Sequence, residues 1–443
     1  MSGYILDDFS VTEEQYLHSN RCVGGSGLHR LGVVTGWQLR RGRQDQLTES
    51  KMPAEVVSKR LGSKASPSTL SSAQIHRERD LGLTFTRVES KPVSDIHLTV
   101  TPKPGETAAS LVQRLAAVLN KFEATVVQQI VFGSVRVHQQ TLVSLRQALD
   151  DPELPITWLE GTACDGNPIA GIQVHAIRGA QVRTTSKGNA VRGRVWSDAV
   201  AAHCVLGGLG PTNLAVARSE QARETFENLQ SALTGETMTM KDVARTWFFL
   251  DEILSWYGDF NRVRNDFFAR SELRPGSVPA STGVSGVNPA GAALTAAAWA
   301  ARAHDASTKV VEIVPSPCQC PAPAYGSAFS RAVELHLAGY RQLLVSGTAS
   351  IEPGGHTAHV GDVRAQIELT MQVVEAILEA RRMSFAEVSR ATAYFKFATD
   401  APVFDDWLAR HGLRTMPVVC TCCDICRDDL LFELELDAIK AGT

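Results

Sequence analysis

The segment QIELTMQVVEAIL (residues 366–378), followed by FAEVSRATAYF (residues 385–395), carries the reading of the fold. In the first segment apolar residues recur at helical spacing, the mark of a helix with one buried face. The second, apolar and β-branched, reads as a strand. The same pair occurs earlier as QARETFENLQSAL (221–233) and MKDVARTWFFL (240–250). Gln221 and Gln366, Thr225 and Thr370, Val243 and Val388, and Arg245 and Arg390 are all 145 residues apart. Four identities in one ungapped register, across a helix and a strand, exceed what shared amphipathicity supplies, so the chain contains a duplication. A weaker third copy precedes them: a helix over ETAASLVQRLAAVLNKF (106–122) and a β-branched run over 126–132.

Each copy is closed by a proline-led strand–turn–strand element. These are PITWLEGTACDGNPIAGIQVHAI (155–177), PASTGVSGVNPAGAALTAAAWA (279–300) and PVVCTCCDICRDDLLFELELDAI (417–439). The alanines of the middle copy favour a helix, but the repeat requires a strand there. The expected organisation is an extension with a Ser-rich linker over 1–92, a degenerate unit over 93–185, and further units over 195–302 and 325–443. The fold class is α+β, with a mixed sheet in each unit and helices on one face only. The bare sheet face must be buried against another unit, which is a physical reason for three copies.

Composition bounds the function. The chain has 443 residues, 44% hydrophobic and 21% charged, with 44 basic and 47 acidic residues and a net charge of −3. That balance offers no global field for a phosphate backbone, so nucleic acid is not expected as a partner. The longest apolar run, residues 290–301, is about half of a membrane span, and no membrane partner is expected. Nine cysteines, bunched late, with no secretory pattern at the start, point to reduced thiols in the cytoplasm. Arg40, Arg41 and Arg43 form either an anion patch or, more simply, a solvated face.

With these stretches in view, the chain resembles the Rid/YjgF superfamily of reactive-intermediate deaminases. The resemblance rests on LLVSGTASI (343–351), FAEVSRATAYFK (385–396) and the proline-led hairpins. It implies a chorismate-mutase-like fold, ligand sites in clefts between units, and an intramolecular pseudo-trimer. Over roughly residues 190–443 the chain is similar to the chorismatase (hydroxybenzoate synthase-like) branch. That likeness rests on RTWFFLDEILSWYGDFNRVRNDFFAR (245–270), PAPAYGSAFSRA (321–332), SGTASIEPGGHTAHVGDVRAQIELT (346–370) and DICRDDLLFELE (424–435). The spacing from Cys426 to Glu433 is in that family's manner. The resemblance implies a hydrolase or lyase that cleaves a small carboxylated enol ether with Glu433 as general acid and needs no cofactor or metal. Arg264 and Arg331 would hold carboxylates, and Cys426 and Tyr394 would line the pocket. Two other readings stand beside it: a Rid-type enamine or imine deaminase, and a non-catalytic protein that binds a metabolite. The chain departs from the deaminases in having Val418 and Val419 after Pro417 where they carry an arginine. It departs from the chorismatases in having Val263 before Arg264 where they carry a tyrosine. Association into a homo-oligomer is also open.

The residues themselves speak to the acid. Glu433, Glu435 and Asp437 alternate and therefore share one strand face, opposite Phe432, Leu434 and Leu436. Either that face meets solvent, and three carboxylates are ordinary, or it lines a cleft where desolvation raises a carboxyl pKa. The offset between Pro279 and Pro417 places Thr295 opposite Glu433, and the first copy is expected to have about Val174 there. One acid in three pseudo-equivalent clefts means one site per chain. The thiols Cys420, Cys422, Cys423 and Cys426, with His356 and His359, are candidate metal ligands. Strand alternation, however, sends Cys422 and Cys423 to opposite faces, and no bound metal is expected.

Overall fold

The computed structural model describes residues 72–442, apart from 162, 188–189, 272 and 274–277. In the first unit β1 (Gln74–Asp80), β2 (Leu83–Ser90) and β3 (Val93–Val100) form an antiparallel meander. Helix α1 (Ala108–Phe122) leads into β4 (Thr125–Gly133), and α2 (Val135–Ala148) leads into the short β5 (Thr157–Leu159), parallel to β4. Strand β6 (Ile169–Arg178) then closes between β3 and β4, giving the order β1-β2-β3-β6-β4-β5.

The second unit repeats this plan. Its elements are β7 (Arg183–Lys187), β8 (Ala190–Ser197), β9 (Ala201–Leu209), α3 (Arg218–Gly235), β10 (Val243–Leu250), α4 (Ile253–Arg270), β11 (Ala280–Ser285) and β12 (Leu294–Ala303). The third has β13 (Val311–Val314), β14 (Ala332–Leu337), β15 (Tyr340–Ala349), α5 (Val363–Ala380), β16 (Val388–Phe395), α6 (Ala401–Arg410), β17 (Val418–Cys422) and β18 (Phe432–Ala441). All three sheets have six strands in the same order. Three tandem α+β units, each with its helices on one sheet face, are therefore the observed architecture.

The packing follows from the two-faced sheets. Each unit buries its outer sheet face under its own helices, as where Leu111, Leu115 and Leu119 of α1 meet Ile96 and Leu98. The three inner faces meet in one shared core that joins Phe132 and Ile130, Trp247 and Trp299, and Tyr340 and Tyr394. The units are also stitched in a cycle, with β5 against β9, β11 against β15 and β17 against β3. The alanine-rich stretch is strand β12, buried over Leu294–Ala301. Small side chains suit it because it is covered on both faces, and tertiary context overrides the helix propensity.

The repeated residues explain themselves here. Gln366 accepts from the Leu431 N–H (2.8 Å) and donates to the Asp429 carbonyl (2.9 Å). Gln221 likewise accepts from the Ala293 N–H (2.9 Å). Each glutamine pins the entry of its closing strand to the start of its helix.

Two expectations differ from the structure. The first sheet starts at Gln74, within the 1–92 stretch assigned to an extension. Its edge strand QIHRERD has only one half-buried face, so it carries no apolar alternation to read. The register also pairs Tyr394 with Glu433, Phe249 with Thr295, and Phe132 with Gly171. The first-unit counterpart of Glu433 is therefore Gly171, not Val174. Glycine fits because a Cβ there would lie 2.6 Å from Val419 of the third unit. Arg40, Arg41, Arg43 and most of the Ser-rich segment lie outside the described residues.

Candidate active site

The cleft between the second and third units collects the carboxylates. Glu433, Glu435 and Asp437 do share one face of β18, but that face is not solvated. Their exposures are 5%, 0% and 4%. The opposite face, with Phe432, Leu434 and Leu436, packs under α5 and α6. What covers the acidic face is β11 of the second unit, lying against β15.

Glu435 is tied down from three sides. Arg245 of β10 and Arg390 of β16 reach it at 2.6 and 2.9 Å. Thr282 of β11 donates its hydroxyl to the same carboxylate, and Trp247 donates its indole N–H at 3.3 Å. Burial alone would raise the Glu435 pKa, but Arg390 and Arg245 overcome it and hold the group ionised, below the usual carboxylate range. Gln173 of the first unit joins by accepting from Arg390 at 2.8 Å. All three units thus meet at one buried charge network.

Glu433 sits at the edge of this network without an ion pair among the described residues. Its pKa is pushed up to about 8, first by burial and then by the Glu435 carboxylate, while Arg245 and Arg331 pull it down. Two carboxyls on one strand face are thereby split, one ionised and one protonated at neutral pH. Glu433 leans over the bulge in β15 at Gly347. A Cβ on Gly347 would fall 2.0 Å from the Glu433 Oε1. The Gly347 N–H donates to the Thr282 hydroxyl at 3.0 Å, locking the bulge to the neighbouring unit.

The other expected residues surround this carboxyl to different degrees. Tyr394 is the cross-strand partner of Glu433, is 1% exposed, and has a hydroxyl with no partner among the described residues. Arg331 is buried (4%), stacks on Phe329, donates to the Cys320 carbonyl, and its charge reaches Glu433. Arg264 is buried in α4 over Phe260. Its charge acts on Tyr257 and Cys426. The Cys426 thiol is pushed up to about 12 by burial and by Glu433, and it shares a hydrogen bond with Tyr257. Tyr257, Arg245, Thr282 and Gly347 were not singled out from sequence as site residues. Only Arg245 carried a signal, its identity with Arg390 in the repeat.

The cleft also corrects where a substrate-binding arginine should be sought. Glu433 faces the strand after Pro279, with Ala280, Ser281 and Thr282, and not the strand after Pro417. Val419 instead belongs to the cleft with the first unit, against Gly171. No arginine follows Pro279, and Arg245 on the adjacent strand supplies the charge.

Among the described residues two clusters have metal-ligand chemistry, Asp95/His97/His175 and Glu312/Glu334/His336. In the first, Asp95 and His175 hydrogen-bond at 2.9 Å and the imidazoles stack at 4.5 Å, so their lone pairs run parallel and do not converge. In the second, Arg341 and Arg381 already occupy Glu334. Neither cluster includes Cys420, Cys422, Cys423 or Cys426. Cys422 packs on the third unit's outer core and Cys423 on the shared inner one, as alternation requires. His356 and His359 lie in the loop between β15 and α5.

No protein-family model matches the chain. A crystal structure of a chorismatase at 1.08 Å resolution superposes with a TM-score of 0.55 at 20% identity, covering 77% of this chain and 98% of that one. The fold is that of chorismatase. In sequence, a chorismatase from Streptomyces rapamycinicus is 30% identical over 220 residues, and a 3-hydroxybenzoate synthase from Streptomyces hygroscopicus is 26% identical over 227. Each match covers 45% of this chain and 64% of the relative. The similarity thus spans just under two thirds of those proteins. A YjgF/YER057c/UK114 family member from Mycobacterium tuberculosis aligns over 29% of this chain and 98% of its own, at 21% identity and a TM-score of 0.23. No helix among the described residues is long and apolar enough to cross a membrane.

Proposed function

We propose that this chorismatase-like chain is a cofactor-independent hydrolase or lyase of a small carboxylated enol ether, with Glu433 as its general acid. The observation that carries the reading is the Glu433 carboxyl, buried in the cleft between the second and third units beside a Glu435 held by Arg245 and Arg390, where burial and the neighbouring carboxylate raise its pKa. A carboxyl that keeps its proton at neutral pH can deliver it to carbon. Protonation of the terminal CH₂ of an enolpyruvyl ether makes it a methyl and leaves an oxocarbenium ion. Water adds to that cation, giving up a proton, and the hemiketal collapses to pyruvate and the alcohol. The Glu435 carboxylate, held by Arg245 and Arg390, would favour the developing positive charge electrostatically. Arg264 and Arg331 would anchor the substrate carboxylates, for which a planar fork of donors is suited. Tyr394 and Cys426 would line the pocket beside Glu433.

The test is pyruvate release from chorismate and related enolpyruvyl ethers by the purified chain, with Glu433→Gln as control. Release by the native chain that drops about 10²–10⁴-fold in the variant is the expected outcome. No release from any ether, or release undiminished in the variant, would sink the proposal. Ammonia release from enamine or imine substrates would replace it with deaminase activity. Ligand-induced thermal stabilisation without turnover would replace it with metabolite binding.

A further inference from the structure

A pair of thiols stands outside this site. Cys164 lies in the turn between β5 and β6 of the first unit, and Cys422 ends β17 of the third. Their sulfurs are 3.8 Å apart across 258 residues of chain. The backbones are already joined there by an antiparallel bridge between Ala163 and Thr421. The turn is fixed too, since Ala163 donates to the Asn167 carbonyl (3.1 Å) and Gly166 to that of Ala163 (2.8 Å). Both cysteines are half-buried, so a small oxidant has access.

We propose that Cys164 and Cys422 form a reversible disulfide that fastens the first unit to the third. Bringing the sulfurs to about 2.05 Å takes less than 2 Å of approach, within reach of side-chain rotation where the strands are already bridged. Either sulfur can donate in the hydrogen bond between them, and donation by Cys164 makes Cys422 the first nucleophile. With a peroxide as oxidant, the Cys422 thiolate attacks one peroxide oxygen and becomes a sulfenic acid as the O–O bond breaks, and the departing hydroxide takes up the proton the thiol gave up and leaves as water. The Cys164 sulfur then attacks the sulfenic sulfur and loses its proton as a second water leaves. Two thiols are oxidised by two electrons in all, and one peroxide is reduced to two waters. Cys420 is the competitor, two residues back on the same strand, but burial pushes its thiol up to about 12.

The location gives the bond a consequence. In the cleft with Glu433, the corresponding contact is a hydrogen bond from the Ser285 N–H to the Asp424 carbonyl, 2.9 Å. Cys422 immediately precedes the loop that carries Cys423, Asp424 and Cys426. A disulfide at Cys422 therefore anchors the base of the loop closing over the candidate acid, and it closes a very long chain loop, where cross-links restrict the unfolded state most.

The test treats the full chain with hydrogen peroxide and maps its peptides without reduction. The expected result is an intact mass lower by two hydrogens, one linked peptide pair containing Cys164 and Cys422, and reversal by dithiothreitol. The Tm of the oxidised protein should exceed that of the reduced protein by at least about 2 °C. Cys420→Ser should form the same link, while Cys164→Ser should stop at a sulfenic acid trapped by dimedone on Cys422. A link through Cys420 or Cys423, no linked pair in the native chain, or an unchanged Tm would overturn the proposal.

Discussion

Glu433 is governed by what it lacks as much as by what it touches. Glu435, two residues on, has Arg245, Arg390 and Thr282, whereas Glu433 meets burial and a neighbouring negative charge. A carboxyl whose folded pKa lies above its unfolded value stabilises the fold only while protonated. Between about 4.5 and about 8 the unfolded chain ionises at this residue and the folded chain does not, so stability falls as pH rises through that window. Glu433→Gln removes the titration. Its unfolding free energy relative to the native chain should therefore grow from pH 5 to pH 9, by at most about 5 kcal/mol, in denaturant titrations at each pH. A constant difference would mean that Glu433 titrates as an ordinary carboxylate. The sequence showed this residue but not its burial: a Glu-x-Glu-x-Asp alternation on an antiparallel strand has the same period whether its polar face meets water or another unit. Arg245, Thr282 and Gly347 were illegible as a group because the contacts that join them cross the boundary between the second and third units. Tyr257 lies within the chorismatase-like stretch 245–270, but helix periodicity does not tell a half-buried pocket tyrosine from a core one.

At the scale of the element, the bulge of β15 and the closing strand β18 set the geometry. The bulge presents Gly347 where any side chain would overlap the Glu433 carboxyl. Gly347→Ala should displace that carboxyl and lower pyruvate release by about 10²-fold, the scale of a 1 Å misplacement, with less change in KM than in kcat. Unaltered kinetics would remove Gly347 from the site. The entry of β18 depends on Gln366, whose amide serves both Leu431 and Asp429. Gln366→Ala leaves those backbone groups unpaired and should cost about 1–3 kcal/mol in urea unfolding, whereas a loss under 0.5 kcal/mol would show that water replaces the amide. These elements were the most legible part of the chain. The identities Gln221/Gln366 and Arg245/Arg390 mark positions where one structural task is performed twice. The edge strand β1 was the least legible, since its seven residues bury little and repeat nothing.

At the scale of the molecule, three copies of one unit place three clefts around a shared core, and the copies have diverged within them. Opposite Tyr394, Phe249 and Phe132 stand Glu433, Thr295 and Gly171. Titration calorimetry of the Glu433→Gln variant with chorismate should therefore give one site per chain, and two or three equivalent sites would contradict this division of roles. The central claim, that Glu433 delivers the proton, is tested most directly by the pH dependence of kcat for pyruvate release between pH 6 and 10. The rate should be level below about pH 8 and fall about tenfold per pH unit above it, with no corresponding limb in the residual rate of Glu433→Gln. A rate that stays level to pH 10, or a variant that keeps the native rate and profile, would contradict it.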